Sequence, residues 1–241
     1  MNSTPRIHQF QVSPFAAKVR RCLHYKGVPF EVVNYGLADL FKIKRLNARG
    51  KTPVLEHAGQ MICDSSDIVR HIEKHYPDQP VYPGNPQDAA RAQVFEDWAD
   101  ECLYFYDLTM RSWPGNAEWL ARDLTLEDSG LMKRLFLRIT PGIIAKQAHA
   151  QGTGRKDVAA ACADVERHFD SIEALVSHSD WLVGDTLSIA DIAVISMCTV
   201  LERAAEAKAL MEARPALMAW RQRVDALTLP ANTAGDDRAM V

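Results

Sequence analysis

Four prolines fall within the eleven residues Tyr76-Pro-Asp-Gln-Pro-Val-Tyr-Pro-Gly-Asn-Pro86, a density that neither a helix interior nor a central strand tolerates. The stretch reads as a linker, 79–87, and the hydrophobic pattern changes character across it. Strand and helix signals alternate before it, and helical spacing dominates after it. A chain of 241 residues is long enough for two domains. The reading is therefore a first domain over 1–78, a second over 88–228, and a flexible tail at 229–241.

In the first segment, Ile7 to Val12 reads as a strand and Pro14 to Lys26 as a helix carrying Val19, Cys22 and Leu23 on one face, with Gly27 ending it. Phe30 to Tyr35 is rich in strand formers, and a short helical segment runs through Phe41, Ile43 and Leu46. Pro53 to His57 and Gln60 to Cys63 read as two strands joined at Ala58-Gly59, and Ser65 to His75 as a helix with Ile68, Val69 and Ile72 inward. The order is βαβαββα, which implies an α/β sheet with parallel βαβ units covered by helices.

The second segment reads as all-α. Phe95, Trp98, Cys102 and Tyr106 recur at helical spacing, as do Val158, Cys162, Val165, Phe169, Ile172 and Val176, and core packing is the default meaning of both stripes. Ser188-Ile-Ala-Asp191 is a capping box, and Pro215 opens a last helix through Leu217, Trp220 and Val224.

Charge is unevenly shared. Residues 1–85 hold 12 Lys+Arg against 7 Asp+Glu, net +5, and the remainder holds 16 against 24, net −8. A small anionic ligand would concentrate on the first domain. No basic run is interleaved with aromatics, so no nucleic-acid partner is expected. The longest uncharged apolar run, Ile192 to Leu201, is half of the roughly 20 residues a bilayer requires, and no membrane association is expected. Five scattered cysteines without a CxxC suit free thiols in the cytoplasm. His71 and His75 stand four apart in His-Ile-Glu-Lys-His, but with no third ligand evident the pair reads as a solvated face, and no metal is expected.

Three short stretches can carry chemistry. Ser13-Pro14 is a helix N-cap followed by an N1 proline, and the unpaired amides and dipole of such a helix start also favour an anion such as a thiolate, to which the Ser13 hydroxyl can donate. Lys51-Thr52-Pro53 puts a proline at a strand entry; a cis bond there would present the Thr52 backbone outward, and a plain edge proline is the alternative. Cys63-Asp64-Ser65-Ser66-Asp67 supplies an N-cap, or else a carboxylate and a hydroxyl able to bind an ammonium and a carboxylate of one ligand.

Taken in order, Ser-Pro-Phe-Ala, Gly-Lys-Thr-Pro-Val-Leu, Asp-Ser-Ser-Asp-Ile, Trp181-Leu-Val-Gly-Asp185 and Ser-Ile-Ala-Asp-Ile resemble the glutathione transferase family over nearly the whole chain. The resemblance implies a thioredoxin-like first domain, an all-helical second domain, a homodimer, and a cleft between the domains that binds glutathione and a small hydrophobic electrophile for conjugation. It places Ser13 as the catalytic donor to the glutathione thiolate. It places the Thr52 backbone, before Pro53, on the cysteinyl part, Asp64 and Ser65 on the γ-glutamyl end, and Lys51 on the glycyl carboxylate. Ser188 and Asp191 match the family's folding box and stay outside the active site.

The sequence departs from the pattern in places. The omega class, whose motif Pro14-Phe15-Ala16 resembles, has cysteine where Ser13 stands, so thiol–disulfide reductase chemistry lacks its nucleophile. The zeta class has Ser-Ser-Cys where Ser13-Pro14-Phe15 stands, which disfavours maleylacetoacetate isomerisation. Asp64 stands for the usual glutamate and Thr52 for valine. A transferase-like scaffold that binds without turnover is the second reading. Tyr104, Phe105, Tyr106, Arg111 and Trp113 are candidates for the electrophile pocket.

Overall fold

The computed structural model describes residues 4–230, so the expected tail lies outside the described residues from 231 onward. The first domain comprises β1 (Arg6–Gln9), α1 (Pro14–Tyr25), β2 (Glu31–Asn34), α2 (Leu40–Leu46), β3 (Val54–His57), β4 (Gln60–Cys63) and α3 (Ser65–His75). Its four strands lie in the order β2-β1-β3-β4. The sheet is mixed: β1 and β2 are parallel, while β3 runs antiparallel to both β1 and β4. The cause is local. Ala58 at φ 51° and Gly59 at φ 75° form a two-residue turn, and a hairpin that short can join only antiparallel strands.

Ile7 and Leu55 of the sheet, Val19, Cys22 and Leu23 of α1, and Ile68, Val69 and Ile72 of α3 share one core. Removing each larger apolar side chain from water contributes about 1.5–3 kcal/mol. The second domain opens with α4 (Pro86–Trp98), two residues earlier than read, because Asn85 caps it by accepting from the Gln87 amide at 2.8 Å and Pro86 takes the N1 place. A π-helical turn (Ala99–Leu103) leads into α5 (Tyr104–Arg111). Then come α6 (Pro114–Leu124), α7 (Gly130–Gln151), α8 (Val158–Val176), α9 (Ile189–Leu201), α10 (Ala205–Glu212) and α11 (Pro215–Thr228).

Every residue of α9 is buried, as suits a helix apolar all round, and α9 packs against α1, α4 and α5. The run Ile192–Leu201 is thus the central helix of the molecule, and no described helix is long and apolar enough to cross a membrane. Asp191 fixes its start. It accepts from the Ser188 amide at 3.0 Å, the Leu182 amide at 2.9 Å and the Trp220 indole at 2.9 Å.

The linker is held in place. Buried Lys26 donates to the carbonyls of Tyr76, Asp78 and Gln79 at 2.9, 3.2 and 3.1 Å, and pairs with Glu73 at 2.7 Å.

Candidate functional site

A cavity of about 460 Å³ opens where the two domains meet. The first domain contributes Ser13, Phe15, Lys51 and Thr52 to it; the second contributes Asp100, Tyr104, Phe105 and Arg111 among others. Ser13, Lys51 and Thr52, drawn from two separate loops, are therefore brought to one wall.

Ser13 ends the loop after β1 in extended backbone and caps α1. Its Oγ accepts from the Ala16 amide at 3.4 Å, a long bond that leaves the hydroxyl proton available to donate. The amides at the start of α1 and the positive end of its dipole lie beside that hydroxyl. The Thr52–Pro53 bond is cis, and Asn47 Nδ2 fixes the approach by donating to the Lys51 carbonyl at 3.0 Å.

Asp64 and Ser65 sit at the start of α3, outside the lining of the cavity. Asp64 is the N-cap, accepting from the Ser66 amide at 3.0 Å. It does so at φ 81°, ψ 129°, a conformation costing a non-glycine residue about 1–3 kcal/mol and one that clusters at functional sites. The cap accounts for the aspartate type, and the strain is what a cap alone leaves unexplained.

Asp100 carries the start of α3 into the cavity. Lys18 of α1, fully buried, donates to Ser66 Oγ at 3.0 Å, Glu96 at 3.0 Å and Asp100 at 2.6 Å, and Ser66 Oγ donates to Glu96 at 2.7 Å. Burial opposes the Lys18 charge, but Asp100 and Glu96 outweigh it and raise its pKa above the usual lysine value. Burial lifts the Asp100 carboxyl to about 6 against the pull of Lys18, with Glu96 and Asp64 adding to the rise. The second oxygen of Asp100, Oδ1, is buried without a hydrogen-bond partner. Sequence reading missed Asp100 because it occupies a π-helical turn, which shifts the helical register by a residue and is itself a frequent mark of functional sites.

An aromatic cluster also lines the cavity. Phe15 and Tyr104 pack with ring centroids 4.8 Å apart and Tyr104 and Phe105 at 5.3 Å. Of the five pocket candidates, Tyr104, Phe105 and Arg111 line the cavity. Tyr106 and Trp113 do not: Tyr106 turns toward α8 and donates to Asp164 at 2.8 Å. Arg111 pairs with Asp107 one helical turn earlier, and burial lifts the Asp107 carboxyl to about 6 against the pull of Arg111. No thiol stands in the Ser13 position; Cys22 is buried in the core, which pushes its thiol pKa up.

One expectation needs correcting. His71 and His75 are half-buried, and the fold brings a third histidine, His57 at the end of β3, to within 4.8 Å of them by ligand atoms. A contact between a strand end and a helix fourteen residues later has no signature in local spacing.

Two family models match the chain in sequence: the glutathione S-transferase N-terminal domain over residues 7–80 and the glutathione S-transferase C-terminal domain over residues 147–223. Together they cover more than half of it. The chain belongs to the glutathione S-transferase family. Glutathione S-transferase U22 of Arabidopsis thaliana is 34% identical over 98 residues, 39% of this chain and 45% of that relative, so the match spans less than half the relative's length. Protein LigF of Sphingobium sp. is 23% identical over 232 residues, 92% of this chain and 90% of LigF. The solved LigF structure, described as a beta-etherase, superposes with a TM-score of 0.67 at 22% identity, covering 93% of this chain and 96% of that one. FzlA of C. crescentus superposes with a TM-score of 0.64 at 21% identity, covering 98% and 99%. At these identities the two superpositions establish the fold. Within this glutathione S-transferase-family chain, the N-terminal model covers Lys51, Thr52, Pro53, Asp64 and Ser65 as well as Ser13.

Proposed function

We propose that this chain is a glutathione S-transferase in which Ser13 activates the glutathione thiol for attack on a small apolar electrophile. The observation that carries the reading is the position of Ser13 at the start of α1, in a cavity that the Phe15–Tyr104–Phe105 cluster also lines. Once the thiol has released its proton to solvent, the thiolate placed there accepts a hydrogen bond from the Ser13 hydroxyl and faces the helix dipole, both of which favour the anion. Lowering a thiol pKa from its usual ~8.5 toward neutrality takes about 1.4 kcal/mol per unit, within reach of one charge-assisted hydrogen bond and a helix start. The thiolate sulfur then forms the new carbon–sulfur bond as the electrophile's leaving group departs with the electron pair.

Lys51 would pair with the glycyl carboxylate, the Thr52 backbone before Pro53 with the cysteinyl part, and Asp64 and Ser65 with the γ-glutamyl end. Asp100 adds a carboxylate for the γ-glutamyl ammonium. Steady-state conjugation of a chlorinated aryl substrate by wild type and Ser13→Ala tests the role, with a loss of ten-fold or more expected; equal activity would refute it. A homodimer in the cytoplasm is the state proposed, and sedimentation of the purified chain measures it.

The similarity to FzlA of C. crescentus, and in sequence to FtsZ-localized protein A of Caulobacter vibrioides, supports a second reading, a binding protein without turnover. Calorimetry separates the two. Glutathione binding favours the enzyme, and no heat at millimolar glutathione favours the scaffold.

A further inference from the structure

We infer that His57, His71 and His75 form a binding site for a divalent transition-metal cation of the zinc type, separate from the glutathione site and independent of the role proposed for Ser13. His71 and His75 stand one turn apart on α3, the i,i+4 spacing that lets two imidazoles reach one ion from a single helix face. Their rings are 4.0 Å apart by centroid, and His57 meets them at 5.1 and 5.2 Å. One nitrogen from each ring lies within 4.8 Å of the other two. Around a tetrahedral ion with metal–nitrogen bonds of about 2.0–2.1 Å, the nitrogens are separated by roughly 3.3 Å. His57 Nδ1 and His71 Nε2, now 2.9 Å apart, need open only by tenths of an ångström, and His75 needs a side-chain rotation.

The outer contacts point the same way. His75 Nδ1 donates to the His71 carbonyl at 2.9 Å, which keeps its proton on that nitrogen and turns the Nε2 lone pair to the cluster. His57 Nε2 lies 3.0 Å from the Tyr76 hydroxyl; donating there, it leaves Nδ1 as the ligand atom. Such outer hydrogen bonds orient metal-binding imidazoles. A hydrogen-bond chain from Tyr76 through His57 to His71 needs no third ring, yet His75 is stacked against the pair. Three imidazoles without a carboxylate or thiolate suit zinc, copper or nickel over magnesium or calcium.

The site ties the end of β3 to the last turns of α3. Both elements begin at the glutathione pole, so the histidines stand about 10–16 Å from it along a four-residue strand and an eleven-residue helix. The ion would therefore act as a clip on the first domain, without contact with the reacting thiol.

The full chain, made without a polyhistidine tag and stripped with chelator, is titrated with zinc chloride by calorimetry in the absence of glutathione. One zinc per chain is expected in wild type, with a rise in melting temperature of several degrees at a hundred-fold excess over Kd. His71→Ala should weaken zinc binding by ten-fold or more. Tyr76→Phe, which keeps all three imidazoles and the fold, should weaken it by about 10–100-fold through the lost outer bond. Circular dichroism of the zinc-free variants checks that each is folded. Absence of binding at millimolar zinc, or undiminished binding in His71→Ala, as the remaining cysteines would give, overturns the inference. Glutathione conjugation by His71→Ala is expected to match wild type, which keeps this result separate from any failure at Ser13.

Discussion

Asp100 offers the most discriminating measurement, because its carboxyl is lifted by burial to about 6 and its Oδ1 is buried without a partner. The charged oxygen that would receive the γ-glutamyl ammonium is therefore present mainly above pH 6. A group with that pKa is about 90% ionised at pH 7 and about 10% ionised at pH 5, so affinity for the ammonium should fall roughly ten-fold between them. The ligand for the assay is S-methylglutathione, which lacks the thiol proton and so removes the other titration in this range. Calorimetry at half-unit steps from pH 5 to 8 should show Kd rising as pH falls, with its midpoint near 6. Asp100→Asn should bind more weakly at pH 7 and give a flat profile, while Lys18 keeps Glu96 as its partner. A flat profile in wild type, or the same slope in Asp100→Asn, would refute the assignment. The same shift has a stability consequence of defined sign. The folded pKa exceeds the ordinary carboxylate value, so the folded chain binds the proton more tightly; the contribution of Asp100 to stability is greatest in acid and declines as pH rises from about 4 through about 6. Asp107, also lifted to about 6, shares that window, so Asp100→Asn should remove part of the slope and leave the rest.

Other perturbations have equally definite outcomes. Asp191→Ala leaves the Ser188 and Leu182 amides and the Trp220 indole unsatisfied in the core, and should lower stability by about 3–5 kcal/mol, read as a large drop in denaturation midpoint with no folded-state change in glutathione affinity. Lys51→Ala should weaken glutathione binding several-fold, whereas Lys42→Ala, an exposed lysine paired with Asp39, should change it less than two-fold by the same calorimetry. Gly36→Ala places a Cβ 2.6 Å from Asp128 Oδ1, the carboxylate that caps the Leu37 and Ala38 amides, and should cost about 1–3 kcal/mol in a denaturant melt.

Much of the first domain was legible because its signals are local. Ala58-Gly59 marks a hairpin, Ser13-Pro14 marks a helix start, and α3 carries Ile68, Val69 and Ile72 at clean helical spacing. The wall of the cavity contributed by the second domain was not legible, for an equally physical reason. On α7, Ile144 faces the cavity while Leu131, Leu135, Ile139 and Ile143 are exposed, so apolar residues ring the helix and no single stripe emerges. Asp100 was hidden by the π-helical turn and His57 by its distance along the chain. Lys26 is a cation whose burial the sequence does not show. By charge alone it resembles the cations near Lys51, but it is buried and spends its donors on the linker carbonyls, so its removal would report on folding and not on ligand binding.

The uneven charge of the chain acquires a structural meaning at the cavity. The basic first domain brings Lys51, the Ser13 hydroxyl and the start of α1 to one side, all suited to anionic groups. The acidic second domain brings Asp100 and Glu101, suited to a cation, together with the aromatic wall. A ligand that carries carboxylates, an ammonium and a thiol would find complementary groups on both sides, Asp100 adding a second-domain carboxylate to those of the first. Lys18 joins the two domains beside the cavity. Its ammonium, donated by α1, sits among Glu96 and Asp100 of the second domain with no exposure to water, an ion-paired contact that spans the two domains. Removing one partner of such a buried pair costs about 3–5 kcal/mol, so Lys18→Ala, which leaves Glu96 without its cation, should lower the denaturation midpoint accordingly.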